Sequence, residues 1–187
     1  MLHAAVIVPV VLYRAPTVLF VRRAAHLRRN AGEIAFPGGL AEDADANDLE
    51  RTARREFEEE TGIAARLLTV LGQLPSAAVI NRSVEIAPFV ALLRGPLEPK
   101  VDRNEVDAAF TIALATIAQP GALHQGIEHA DGRDIPTWVF DDGSVHVWGA
   151  TACILASFLA AMRGDDPVLA RALDAYGVRI EHDPGAV

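Results

Sequence analysis

Apolar positions along the chain follow two periods. Residues 4–12 (Ala-Ala-Val-Ile-Val-Pro-Val-Val-Leu) and 17–22 (Thr-Val-Leu-Phe-Val-Arg) are β-branched runs joined by a turn around Arg14-Ala15-Pro16. They predict a hairpin in which Pro9 marks an edge or a bulge. Between residues 47 and 62 the period lengthens: Leu49, Ala53 and Phe57 recur at i, i+4 and i+8, one stripe of an α-helix. Asn47 or Asp48 would start it, Asn47 with Glu50 making a capping-box pattern, and Gly62 would stop it. Strands are predicted over 65–74 and 83–94, with Gln73-Leu-Pro-Ser76 and Asn81-Arg82 at their junction and Glu85 and Pro88 interrupting the second. A short helix follows near 113–118, then a hairpin over 136–140 and 144–148 across Asp141-Asp142-Gly143. Packed helices are expected over 150–162 and 167–176, and residues 177–187 read as a weakly ordered tail. Short strands, two long amphipathic helices and no regular βαβ alternation indicate an α+β domain with a mixed sheet between helices.

The other face of the 47–62 helix carries the chemistry. Glu56 and Glu60 stack one turn apart with Glu59 beside them, Glu58 points elsewhere, and Arg55 stands four residues before Glu59, within reach to orient it. Consecutive carboxylates in a last helical turn oppose the helix dipole, at about 0.3–1 kcal/mol each when exposed. A bare run of three Glu is ordinarily a solvated acidic face. Here the order of residues points elsewhere. Arg55-Glu56-Phe57-Glu58-Glu59-Glu60-Thr61-Gly62-Ile63, preceded by Phe36-Pro37-Gly38-Gly39, resembles the Nudix box of nucleoside-diphosphate-linked pyrophosphohydrolases. The common box reads G-x5-E-x7-R-E-U-x-E-E-x-G-U, with U apolar. This chain has two extra residues between Gly39 and Arg55, so the first acidic position falls on Asp45 counting forward and on Asn47 counting back.

Upstream lies a basic segment, Arg22-Arg23-Ala24-Ala25-His26-Leu27-Arg28-Arg29-Asn30. From Leu19 to Gly39 the spacing of Arg23, Ala24, Arg28, Gly32 and Phe36 to Gly39 resembles the extra signature of the coenzyme A pyrophosphatase branch of that family, with Phe20 and Val21 in place of the usual Leu and Thr. Trp148-Gly149-Ala150-Thr151 is similar to the start of that branch's closing helix. The resemblance implies a Nudix α/β/α sandwich and cleavage of coenzyme A or acyl-CoA at the diphosphate, to 3′,5′-ADP and a 4′-phosphopantetheine product. ADP-ribose, NADH or a nucleoside triphosphate is the alternative within enzymes, and a nucleotide-sensing module without turnover the alternative outside them. Carboxylates are hard oxygen ligands suited to Mg²⁺ or Mn²⁺, so Glu56, Glu60 and Glu59 are the expected metal ligands. Arg55, Glu56, Glu59 and Glu105 are the catalytic candidates, with the base open between Glu59 and Glu105 and a capping or surface role equally open for Glu105. Arg23 and Arg28 are candidates for substrate phosphate, and Gly38 and Gly39 for close backbone approach to phosphate or metal.

Composition narrows the setting. The 187 residues suffice for one domain over 1–187, 51% are apolar, and the net charge of −8 argues against nonspecific nucleic-acid binding. One cysteine, Cys153, excludes an internal disulfide framework and reads as a buried core thiol. His124, His129, His146 and His182 lack metal-ligand spacing. No run is long enough to span a bilayer, and Met1-Leu2-His3 has no basic leader. A cytoplasmic protein acting on a small nucleotide is expected, with no nucleic-acid or membrane partner and a homodimer left open.

Overall fold

The computed structural model describes residues 2–79, 84–130 and 132–180. Asn81-Arg82, His182 and the tail beyond residue 180 lie outside the described residues. Strand β1 (Leu2–Tyr13) organises the main sheet. One edge pairs in parallel with β7 (Val84–Arg94) from Leu2 to Leu12. Its other edge is shared: Ala4 to Val6 pair with β4 (Gly38–Leu40), and Val10 to Tyr13 pair with β2 (Ala15–Arg23). Pro9 is therefore in a central strand, not at an edge. The Ile7 amide donates to the Pro37 carbonyl across this shared edge at 2.9 Å. Amides two residues apart point the same way, so the N–H that Pro9 lacks falls where β1 passes from one partner to the other.

Pro88 repeats the device. β7 runs unbroken through Glu85 and Pro88, and its outer edge pairs with β5 (Thr69–Gln73) as far as Phe89 and with β6 (Ala77–Val79) from Ile86. Residues 65–67, expected as strand, form a short 3-10 turn. Two strands of eight residues escape the sequence pattern. One is β8 (Val106–Ala113), along the far edge of β2, and the other is β9 (Leu123–Ala130), in a separate antiparallel sheet with β10 (Arg133–Asp141) and β11 (His146–Trp148). Among the described residues four α-helices complete the fold: α1 (Leu49–Thr61), α2 (Leu114–Ile117), α3 (Gly149–Ala160) and α4 (Pro167–Asp174).

Period-two alternation along β1 and β7 divides the core into two layers. Val8, Val10, Val90 and Leu92 face Leu155 and Phe158 of α3 and Leu169 of α4. Ala5, Ile7, Val11, Phe89 and Leu93 face Ala53 and Phe57 of α1. The mixed sheet thus lies between helices, an α/β/α arrangement, and the apolar stripe of α1 packs as its spacing requires. Cys153 on α3 is half-buried rather than buried, on the flank of the core-facing Ala152 and Ile154. No helix among the described residues is long and apolar enough to cross a membrane.

Candidate active site

The site forms where β1 and β2 part company. They pair only from Val10↔Val18 to Tyr13↔Ala15, and the segment from Ile34 to Leu40 fills the fork beyond. Its first part, β3 (Ile34–Ala35), pairs with Val21 and Arg22 of β2, and its last, β4, pairs with β1. Phe36 anchors it by stacking on Phe20 with ring centroids 4.9 Å apart. Gly38 and Gly39 are thereby pressed onto the end of α1. The Gly38 amide donates to Glu60 Oε2 at 3.1 Å. A Cβ on Gly38 would collide with the Ala5 carbonyl, and one on Gly39 with the Glu56 carboxylate. The missing side chains make room first for the protein's own strand and carboxylate.

Helix α1 begins at Asp48, whose Oδ1 accepts the amides of Glu50 and Arg51 at 3.0 and 3.2 Å, so the expected Asn47–Glu50 box is replaced by an Asp48 cap. Asn47 cannot serve because it and Ala46 both stand in the left-handed region, at φ 63° and 54°. These two residues accommodate the extra length between Gly39 and Arg55, and the acidic position left open in the sequence is Asp45. Asp45 is 1% exposed. It accepts Arg55 Nε at 3.1 Å and Nη2 at 2.9 Å, Thr52 Oγ1 at 2.9 Å and the Glu42 amide at 3.0 Å. The Arg55 hydrogen bonds hold its carboxyl well below the usual carboxylate range against the opposing effect of burial. At the other end Gly62, at φ 66°, closes the helix with its amide on the Glu58 carbonyl at 2.8 Å. Glu58 turns away, accepting the Ala65 amide at 2.8 Å.

Arg55 also reaches Glu56 Oε1 at 2.9 Å and Glu59 Oε2 at 3.0 Å through Nη1. Arg55 thus reaches Glu59, as their four-residue spacing predicts, and holds Glu56 and Glu59 on one nitrogen. Glu59 is drawn outward and its side chain is 57% exposed, whereas Glu56 is mostly buried and Glu60 is 2% exposed. Among the described residues no three His, Cys, Asp or Glu side chains are gathered in a metal-ligand arrangement. Glu56 and Glu60, one turn apart on α1, both have raised pKa values. Burial pushes Glu60 up to about 7, opposed by the Gly38 amide and Arg23 and reinforced by the charges of Glu56 and Glu105. Glu56 is likewise raised by burial, opposed by Arg55 and reinforced by Glu59 and Glu105. Two desolvated carboxylates with too few donors form a hard-oxygen set that a small divalent cation satisfies.

Arg23 and Glu105 arrive together. The Ala24 amide donates to the Glu105 carbonyl at 2.9 Å and the Ala25 amide to Asp107 Oδ2 at 3.1 Å, while a His26 ring nitrogen lies 3.1 Å from the Asn104 carbonyl oxygen. Between Arg22 and Arg23 the β2–β8 register slips by one residue, next to Asp107. This pinning was not visible in the sequence, where Arg23 and Glu105 stood out separately. Arg23 Nη1 lies 3.9 Å from Glu60 Oε1, beyond a hydrogen bond, and its Nε is buried with no hydrogen-bond partner among the described residues. Arg28 is exposed on the same loop, with no ion pair or hydrogen bond to the described residues.

Comparison with known proteins agrees with this geometry. A profile of the NUDIX domain matches residues 1–130. The protein named "Uncharacterized Nudix hydrolase NudL" in Cronobacter sakazakii is 36% identical over 165 residues, covering 88% of this chain and 84% of that one. Its namesake in Salmonella newport is 36% identical over 153 residues, covering 82% and 79%. In fold, a MutT/nudix family protein from Enterococcus faecalis superposes with a TM-score of 0.59 at 16% identity, covering 92% of this chain and 67% of that one. An Ap4A hydrolase from C. elegans, solved as a binary complex, gives 0.50 at 19% identity, over 61% and 81%.

Proposed function

The chain belongs to the Nudix hydrolase family, and from that premise we propose that it cleaves the diphosphate of coenzyme A or an acyl-CoA with Mg²⁺ or Mn²⁺. Nudix hydrolases generally use divalent metal ions, and the observation that carries the proposal here is Glu60. It is a carboxylate 2% exposed, with one hydrogen bond, beside Glu56 and within the field of Glu105. Glu56 and Glu60 would hold the metal, with the more exposed Glu59 beside them on the same turn of α1 as the third carboxylate. Bound there, a divalent cation neutralises charge that builds on diphosphate oxygens as water attacks phosphorus.

The remaining work falls to the chain. Arg55, fixed by Asp45, orients Glu56. Arg23, with an unpartnered buried Nε and a guanidinium beside Glu60, faces the diphosphate and offers it a charged donor. Glu105 is exposed to solvent and electrostatically coupled to both Glu56 and Glu60, which favours it over the Arg55-bound Glu59 as proton acceptor from the attacking water. Arg28, exposed on the loop that Asp107 and Asn104 hold in place, is the cation available to the 3′-phosphate. The spacing of Arg23 and Arg28 into Phe36-Pro37-Gly38-Gly39 supports coenzyme A over ADP-ribose, NADH or a nucleoside triphosphate.

The test is incubation with Mg²⁺ or Mn²⁺ and a panel of CoA, dephospho-CoA, NADH, ADP-ribose and nucleoside triphosphates, with products identified by mass. Formation of 3′,5′-ADP from CoA is expected. Arg28→Ala should lower kcat/KM for CoA by about 1.5–3 kcal/mol of transition-state stabilisation and leave dephospho-CoA nearly unchanged. Arg23→Ala should lower both alike. A wild type that leaves CoA intact would end this reading.

A further inference from the structure

A groove of about 260 Å³ opens on the α1 side of the sheet, at the opposite end of β2 from Arg23. Its floor is Val11 and Leu19, both buried, and the loop bearing Pro96, Leu97 and Pro99 forms one wall. The edge strand β8 supplies the other wall through Ala109 and Thr111. Among the described residues no charged side chain lines it, in a chain of which 22% is charged. The side-chain polar groups of its described lining are the hydroxyls of Tyr13, Thr17 and Thr111. Such a lining does not repay the desolvation of a phosphate, whereas hydroxyls can serve the amides of an otherwise neutral chain.

The groove and the candidate active site share one face. Leu19 packs in the layer containing α1, and Arg23, four residues along the same strand, meets Glu60 of α1. Residues two and four apart on a strand point the same way, so the two ends lie ~13 Å apart along β2. The loop leaving the groove at Gly95 and Pro99 runs straight on to Glu105, with the Lys100 amide bonded to the Thr61 carbonyl at 2.8 Å on the way. Groove and site thus lie toward opposite ends of β2 on one face of the sheet, with this loop running from one to the other.

We propose that the groove binds the uncharged far end of the substrate's organic arm, an acyl thioester carried on a pantetheine-like chain. This rests on the coenzyme A reading above. The chain between the phosphate and the sulfur has two amides and the backbone length of about four extended residues, ~13–14 Å. With the diphosphate at Glu60 and Arg23, the sulfur therefore reaches Leu19 and the acyl group enters the groove. At about 260 Å³ the space lies near the lower end for small-molecule pockets.

Binding of S-octanoyl-pantetheine, which has no phosphate, is measured by calorimetry without metal, beside kcat/KM for octanoyl-CoA, CoA and ADP-ribose. The variants are Thr111→Trp, which fills the groove from an exposed position, Leu97→Glu, which charges it, and the conservative Thr111→Val. Expected is binding of the probe by wild type and Thr111→Val, weakened at least tenfold in the other two. In those two the kcat/KM ratio of octanoyl-CoA to CoA should fall about tenfold, with ADP-ribose unaffected. Failure of the wild type to bind the probe, or equal binding by all variants, overturns the proposal even if CoA is cleaved. Probe binding that Thr111→Trp abolishes, in an enzyme that leaves CoA intact, supports the groove's ligand class while refuting the coenzyme A reading. If Thr111→Trp converts a dimer to a monomer in sedimentation without changing probe binding, the groove belongs to a second copy of the chain and the proposal is overturned.

Discussion

Two carboxylates at either end of α1 are almost equally buried and oppositely treated. Asp45 is 1% exposed and Glu60 is 2% exposed. Asp45 receives four hydrogen bonds, two of them from Arg55, and ionises more readily than a free carboxylate. Glu60 receives one, from Gly38, with Arg23 too far to donate, and burial pushes it to about 7. Burial is the same; the supply of donors differs. A carboxylate fully served by its own chain has no capacity left for a ligand, so Asp45 is a fastening. One left short of donors beside other carboxylates retains lone pairs for a cation, which is the ground on which the metal role is proposed for Glu60.

Glu60→Gln keeps the shape and removes the charge. Turnover is expected to fall about 1,000-fold, ~4 kcal/mol of transition-state stabilisation. Stability without metal should be unchanged or higher, because a buried, underserved charge is lost. The rise in Tm on adding Mg²⁺ or Mn²⁺, expected for the wild type, should vanish. Steady-state rates and thermal melts with and without metal check this, and a Glu60→Gln enzyme with the wild-type rate would take Glu60 out of the mechanism.

Asp45→Ala should do the reverse. Removing one partner of the buried pair leaves the Arg55 guanidinium, 22% exposed, without its main counter-charge and should destabilise the fold by about 3 kcal/mol. The metal-dependent rise in Tm should survive in the molecules that remain folded. Urea unfolding with and without Mg²⁺ separates the two residues, and equal behaviour of the two variants would erase the distinction between fastening and site.

The pH dependence separates them again, with a smaller effect. Glu60 has its folded pKa raised from 4.5 to about 7. Between these values the metal-free folded state binds the extra proton, so this group's contribution to stability declines as pH rises from about 4.5 to about 7. Asp45 is lowered from 3.8 in the folded state. It stabilises above that value and its contribution is lost as pH falls below it. Subtracting the Glu60→Gln profile from the wild type should reveal the neutral-side decline alone. Saturating metal should remove it, since metal binds the ionised form. A difference profile flat from pH 4.5 to 7 would show that Glu60 is better solvated than its burial implies.

How much of this was legible follows the range of the interactions. The face of α1, the burial of Phe57, the stop at Gly62 and the outward turn of Glu58 are set within two helical turns, so spacing revealed them. The conflict at Glu60 was visible only as repulsion, because its depth depends on Gly38 arriving from another strand. The hold of Arg55 on Glu59 was legible from their four-residue spacing, whereas its simultaneous hold on Glu56 and Asp45 was not. Pro9 and Pro88 suggested edges or interruptions, yet each stands in a continuous strand where one edge changes partner, a property of sheet topology. β8 and β9 were overlooked because Val-Asp-Ala-Ala-Phe-Thr-Ile-Ala and Leu-His-Gln-Gly-Ile-Glu-His-Ala carry little β-branched alternation. Pairing with β2 and β10 makes them strands.

The smallest expected effect concerns the two residues that separate Asp45 from the helix. Ala46 and Asn47 both have positive φ, but they differ in suitability. Asn tolerates the left-handed region through local hydrogen bonding, whereas the Ala Cβ crowds the following carbonyl at about 1–2 kcal/mol. Ala46→Gly removes that crowding and admits the larger backbone entropy of an unfolded glycine, roughly 0.5–1 kcal/mol in the opposite direction. The net gain expected is therefore about 0.5 kcal/mol, read as a slightly higher urea midpoint at constant m-value. Turnover should not change, because this turn adjusts the chain length between Gly39 and Arg55 while Asp45 keeps its grip on Arg55. A rate change without a stability change would mean that the two extra residues reach the site, and that the fastening and the chemistry at either end of α1 are less separate than their hydrogen bonds indicate.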